Sequence, residues 1–169
     1  MGHLGDNSAS TESSFPGEFL SPDQYQAAID GMVDEVWRSL LSQKPAGSIP
    51  LQLQPGEILF EQNQTDYRAY LLIKGVLGAY AQNQLLAEEN REGEVLGASG
   101  ALLGTPRITT LKAHTQTIVL ALSPSDFEAF VIANPMVTMR LLKILCEHLA
   151  YLTNPETRSH LNKSPKPTL

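Results

Sequence analysis

Between Tyr25 and Leu41 the apolar residues Ile29, Met32, Val33, Val36, Trp37 and Leu40 recur at helical spacing, which predicts one amphipathic helix. Ser21 is placed to cap it, Pro22 suits the first helical position and Asp23 puts a carboxylate in the first turn, so the predicted helix covers 21–43. An apolar stripe of that length needs a partner surface, either the domain that follows or a second subunit. Residues 1–20 are polar and rich in Gly and Ser, with too little to bury, and read as a disordered leader. Lys44-Pro45-Ala46-Gly47-Ser48 reads as a linker.

From Ile49 to Leu122 the period shortens. Leu51, Leu53, Ile58 and Phe60 flank a Pro55-Gly56 turn, Tyr70–Ile73 leads into Lys74-Gly75, and Val76–Ala81 leads into Gln82-Asn83. Leu85 and Leu86, Val95, Thr109–Ala113 and Thr117–Leu122 complete the series. About six to eight short strands at this spacing predict an antiparallel β jelly roll over 49–122. After Leu122 the pattern is helical again. Ser123-Pro124-Ser125-Asp126 opens a short helix carrying Phe127, Phe130, Val131 and Ile132, and Asn134-Pro135 opens a longer one to about residue 153. In that last helix Leu142, Leu145, Leu149 and Leu152 form one apolar seam, with Leu141, Ile144 and Tyr151 beside it. Two apolar faces predict two partners, the roll and the same helix of a second subunit; broad burial within a monomer is the alternative. Residues 154–169 carry three prolines among few apolar groups and read as a disordered tail. The expected class is mainly β with flanking helices (α+β), with an N-terminal helix and C-terminal helices that serve as lid and dimerisation element.

Charge and cysteine content narrow the functions. Twelve basic against eighteen acidic side chains give a formal charge of −6, which argues against a general affinity for nucleic acid or anionic membranes. The single cysteine, Cys146, excludes an internal disulfide and fits a reducing cytoplasm. No apolar run is long enough to span a bilayer, and no secretory signal is expected at the amino terminus.

The candidate chemistry lies in Leu96–Thr110, where small residues precede a Gly104-Thr105-Pro106 turn and a lone Arg107. Small residues let backbone approach a ligand, and a helical turn starting near Ser99 would aim free N–H groups at an anion. Arg107 would add a planar fork to the same phosphate. A surface loop closed by a solvated arginine is the plain alternative. Gly97-Ala98-Ser99-Gly100-Ala101 falls one residue short of a hydrolase nucleophile elbow, but no βα series surrounds it. The roll holds His114 alone, which is too few ligands for a metal-binding jelly roll. Cys146 and His148 lie in a leucine-rich helix where packing accounts for them, so no haem is expected.

The order of these pieces resembles the cyclic nucleotide-binding domains of bacterial catabolite activators and cyclic nucleotide-dependent kinases. Pro55-Gly56-Glu57-Ile58-Leu59-Phe60-Glu61-Gln62 resembles the opening strands, and Tyr70–Tyr80 the central hairpin. Glu92–Gly97 leads into the phosphate-binding cassette, and Leu120–Phe127 resembles the exit into the lid helices. Gly97, Pro106, Arg107 and Thr110 match the cassette, whereas Ala98 stands where the family has a glutamate and Ile108 where a smaller residue is usual.

By this resemblance the arginine would bind the phosphate of cAMP or cGMP, and the missing glutamate would have bound the ribose. Losing one hydrogen bond to a charged group, worth about 1.5 to 3 kcal/mol, weakens binding roughly ten- to a hundredfold. The less negative pocket would also admit a ligand with more phosphate charge. The expected ligand-binding residues are Gly97, Ala98, Ser99, Gly100, Arg107, Ile108, Thr109 and Thr110, with no catalytic residue, metal or cofactor. The implied function is a non-enzymatic cytoplasmic sensor, dimeric through 135–153, that signals to a separate protein. The alternative is a ligand-independent interaction module with a degenerate pocket. The family's DNA-binding activity is not expected, because no reader helices follow the long one.

Overall fold

The computed structural model of the chain describes residues 15–153, apart from the side chains of His148, Tyr151 and Leu152. The expected leader within 1–14 and the tail of 154–169 lie outside the described residues. Residues 15–20, expected within the leader, are instead placed against the roll. β1 (Glu18–Phe19) pairs antiparallel with β2 (Ile49–Leu53), placing Phe19 opposite Leu51, and the Leu20 N–H donates to the Pro50 carbonyl at 3.1 Å. Packing of Phe15 on the core of the roll and the backbone pairing to β2 hold this short segment where composition alone signalled disorder.

The expected helix over 21–43 is two helices. α1 (Pro22–Asp30) opens with a capping box, in which Ser21 Oγ accepts from Gln24 N–H and the Gln24 side chain accepts from Ser21 N–H. It stops at Gly31, and α2 (Glu35–Leu41) starts afresh because the Asp34 carboxylate accepts from the N–H groups of Val36 and Trp37. Tyr25, Ile29, Met32, Trp37 and Leu41 are all buried in the same cluster, so apolar spacing persists across the break. Val33 and Val36, expected in the stripe, lie at the junction and are exposed.

The remaining strands are β3 (Ile58–Phe60), β4 (Ala69–Lys74), β5 (Leu77–Ala81), β6 (Gln84–Glu89), β7 (Val95–Leu96), β8 (Thr110–Ala113) and β9 (Thr117–Leu122). They form a five-stranded sheet ordered β1-β2-β9-β4-β7 and a four-stranded sheet ordered β3-β8-β5-β6, with every pairing antiparallel. The two inner faces enclose one core that includes Leu53, Phe60, Tyr70, Leu72, Leu77, Leu96, Leu111 and Val119.

The five-stranded sheet is also covered outside. Ala69, Leu71, Ile73, Leu120 and Leu122 meet α1, α2, α4 (Pro124–Ala133) and α5 (Pro135–Thr153) in a second cluster with Phe127, Phe130 and Val137. Burial on both faces explains why β4 reads as an unbroken apolar run rather than an alternation. α4 and α5 meet at 106°, and no single helix among the described residues is long and apolar enough to cross a membrane. On α5, Leu141 packs against the helix-side core, while Leu142, Leu145 and Leu149 are about half exposed.

Candidate functional site

β7 leads directly into α3 (Ala98–Leu103) through Gly97, which caps the helix in the left-handed conformation with φ 75°. Only glycine adopts this freely, and a Cβ there would stand 2.2 Å from Arg107 Nη1. α3 begins one residue earlier than expected and ends at Gly104, also left-handed with φ 64°. No side chain caps its N-terminus.

Arg107 enters the interior rather than solvent. Its residue is 3% exposed, with Nη1 donating to the Gly97 carbonyl at 3.1 Å and Nη2 to the Arg68 carbonyl at 2.5 Å. The guanidinium carbon sits 4.1 Å from the centre of the Phe60 ring. Nη2 is 3.5 Å from Asp66 Oδ2. Nε is buried and has no hydrogen-bond partner among the described residues. Burial lowers the Arg107 pKa, against the raising influence of Asp66 and Tyr70, yet an arginine keeps its charge at any physiological pH.

Asp66 is the shared counter-ion. Arg68 Nε donates to its Oδ1 at 2.9 Å, the Arg68 N–H donates to the same oxygen, and Tyr70 OH donates to Oδ2 at 2.9 Å. Burial pushes the Asp66 carboxyl upward, but the Arg68 hydrogen bonds and charge and the Tyr70 hydroxyl together bring it below its ordinary value. The loop before Asp66 is tied to Arg107 by backbone, with Asn63 N–H donating to Arg107 O at 2.7 Å and Arg107 N–H donating to Gln64 O at 2.9 Å.

Of the residues expected from sequence, Gly97, Gly100 and Arg107 come together; a Cβ on Gly100 would be 3.0 Å from Arg107 Nη1. Ser99 is half-buried on α3. Ala98 is buried with its methyl in the helix-side cluster, and Thr109 is buried. Thr110 Oγ1 accepts from the Gln62 N–H at 2.9 Å. Ile108 does not join them, because it is 55% exposed. Asp66, Arg68, Phe60 and Tyr70 were not foreseen. They lie about 40 residues before Arg107 in sequence, and only the sheet pairing brings them to it.

His114 is engaged on the outer face of the four-stranded sheet, with Nδ1 3.0 Å from Glu88 Oε1 and Nε2 2.7 Å from Tyr80 OH. No group of three His, Cys, Asp or Glu residues among those described is placed to hold a metal.

The chain belongs to the cyclic nucleotide-binding domain family. Its family model matches residues 50–134, from β2 through the cassette to the end of α4. The fold is similar to PKAR CBD2 bound to Sp-2Cl-cAMPS, with TM-score 0.53, 19% identity, and coverage of 76% of this chain and 84% of that one. It is similar also to the Thermus thermophilus catabolite activator protein, with TM-score 0.55 and 22% identity over 79% of this chain, which spans 57% of that activator. The sensor domain of the transcriptional regulator DNR from Pseudomonas aeruginosa gives TM-score 0.52 and 22% identity over 67% of this chain and 79% of that one. No curated protein matches the sequence.

Glu89 is a further buried group that the sequence did not single out. It ends β6 opposite Leu77, is 2% exposed, and its Oε1 lacks a hydrogen-bond partner among the described residues. Burial and the neighbouring Glu94 charge, partly offset by Arg91, push its pKa up to about 8. A carboxyl whose folded pKa exceeds its unfolded value near 4.3 binds its proton more tightly when folded. Its stabilisation is therefore complete below the unfolded pKa and is lost as pH rises through about 8. Glu89→Gln is expected to flatten this decline and to raise stability at pH 8.5 by about 1–3 kcal/mol, because an uncharged amide stays buried at less cost. Urea unfolding of both forms at pH 6 and 8.5 measures it; equal slopes against pH would refute it.

Proposed function

We propose that this chain is a non-enzymatic regulatory module that binds a cyclic nucleotide or a related phosphorylated ligand and signals to a separate protein. The observation that carries this reading is the Arg107 Nε, a charged donor buried without a partner among the described residues beside the uncapped start of α3. A phosphate oxygen is the acceptor that such a donor suits. The ligand phosphate would rest on Arg107 and the N–H groups of Gly97, Ala98, Ser99 and Gly100, with Thr109 and Thr110 as accessory donors. α4 and α5 would transmit occupancy by moving against the roll. The reading places the module in the cytoplasm and assigns it no DNA or membrane partner.

Titration calorimetry of the full chain with cAMP, cGMP and cyclic dinucleotides tests the proposal. Binding by at least one is expected, and Arg107→Lys should weaken it about tenfold or more, since lysine keeps the charge and loses the fork. A specific observation favours a second reading. The carbonyls of Gly97 and Arg68 and the Asp66 carboxylate already occupy the Arg107 Nη groups, as a ligand-independent latch would require. Absence of heat with every nucleotide selects that second reading.

The apolar seam of Leu142, Leu145 and Leu149 is about half exposed along α5, and supports a homodimer formed through this helix. Leu145→Asp is expected to convert a dimer to a monomer in light scattering. A wild-type monomer at high micromolar concentration would rule out this assembly.

A further inference from the structure

Each of the two arginines that pair with Asp66, through Arg107 Nη2 and Arg68 Nε, keeps another donor without a partner among the described residues, and Arg107 Nε is the first of these. Arg68 Nη1 is also buried without a hydrogen-bond partner among the described residues. The two arginines share Asp66 as their counter-ion, so the cluster holds one positive charge in excess of its carboxylate. Arg68 is covered by Phe15, whose ring centre lies 4.3 Å from the Arg68 guanidinium carbon. Phe15 begins the segment 15–20 that runs into β1, a strap along β2, and it packs on the core enclosed by the two sheets. The strap is held tightly further on. Gly17, with φ 73°, lies against the Gln52 carbonyl so closely that a Cβ would be 2.3 Å from that oxygen, and Phe19 contacts Phe15 edge-to-face at 5.5 Å between ring centres.

We propose that Arg68 is a second phosphate-binding residue and that Phe15 is a built-in plug over it. This rests on the sensor reading and adds to it. A phosphoryl group would take the free donors of Arg107 Nε and Arg68 Nη1 together, a two-arginine recognition that makes up for the absent glutamate at Ala98. Phe15 withdraws when the anion enters, so the ordered strap competes with ligand. The strap's anchor at Gly17 and β1 keeps Phe15 close enough to return when the site empties.

Equilibrium dialysis of the full chain with labelled cAMP, cGMP, cyclic diguanylate and pyrophosphate tests this, with thermal melting to verify that each variant is folded. Phe15→Ala is expected to tighten binding about tenfold by removing the competitor, and Arg68→Gln to weaken it about tenfold in both the wild-type and Phe15→Ala backgrounds. Binding that depends on Arg107 but is unchanged by Arg68→Gln and Phe15→Ala overturns this inference and leaves the sensor reading standing. Arg68-dependent binding of pyrophosphate alone supports the two-arginine site and rejects a cyclic nucleotide as its ligand. No binding by any probe, even with Phe15→Ala, overturns both.

Discussion

Replacing Arg107 by alanine is expected to lower the stability of the chain by about 3–5 kcal/mol, the range for breaking a buried ion pair, besides abolishing any phosphate binding. The side chain is 2% exposed, and its loss releases two carbonyl acceptors, those of Gly97 and Arg68, inside the protein. It also strips Asp66 of one of its two arginines and leaves the face of Phe60 against a cavity. Arg107→Ala alone therefore cannot separate a ligand site from a latch, which is why Arg107→Lys is the binding probe.

Asp66→Ala should relieve part of the damage. In a double-mutant cycle the Asp66→Ala/Arg107→Ala pair is expected to lose less than the sum of the single losses, with a coupling of about 1–3 kcal/mol. Strict additivity in urea unfolding would deny the pairing. The pH dependence has the opposite sign to that of Glu89. Asp66 titrates below its ordinary value in the folded state, so its contribution is present above the unfolded pKa and is lost as pH falls through the folded one. Arg68→Gln, which removes the side-chain hydrogen bond and charge that lower Asp66, should weaken that acid-side loss.

The roll and the cassette were legible in sequence for different reasons. Strands such as β4 and β9 are buried on both faces and stand out as apolar runs between glycine and polar turns. The cassette was legible because Gly97 and Gly104 answer to backbone conformations that few other residues adopt. What could not be read was where Arg107 points. Arginine after a turn is compatible with solvent, ligand or core, and the choice depends on Asp66, Phe60 and Tyr70, which only β-pairing delivers. The break between α1 and α2 was missed because its apolar partners kept helical spacing, although Gly31 and Asp34 marked it. The order of Phe15–Leu20 was missed because a two-residue strand carries almost no periodic signal.

Gly93→Ala is expected to destabilise the chain by about 2–5 kcal/mol, from left-handed backbone strain and overpacking together. Gly93 has φ 77°, and a Cβ on it would lie 1.9 Å from Trp37 Cε2. Trp37 is 1% exposed at the centre of the helix-side core, with the Arg140 guanidinium carbon 5.2 Å from its ring centre, so the indole has little room to retreat. The neighbouring Glu92 fixes the same junction from the other side. Its carboxylate accepts from the N–H groups of Val33 at 3.0 Å and Asp34 at 2.7 Å, where α1 gives way to α2. The turn before the cassette thus carries the start of α2, and a displaced Gly93 should loosen both.

Gly56→Ala is the control for backbone strain alone. Gly56 has φ 90°, but a methyl group added to it would meet nothing within 4 Å, so its replacement should cost only about 1–2 kcal/mol. Comparing the two by urea unfolding, with Trp37 fluorescence as the probe, isolates the packing contribution. Equal losses would mean that Trp37 moves aside freely, and the coupling of cassette to helices through this contact would have to be abandoned.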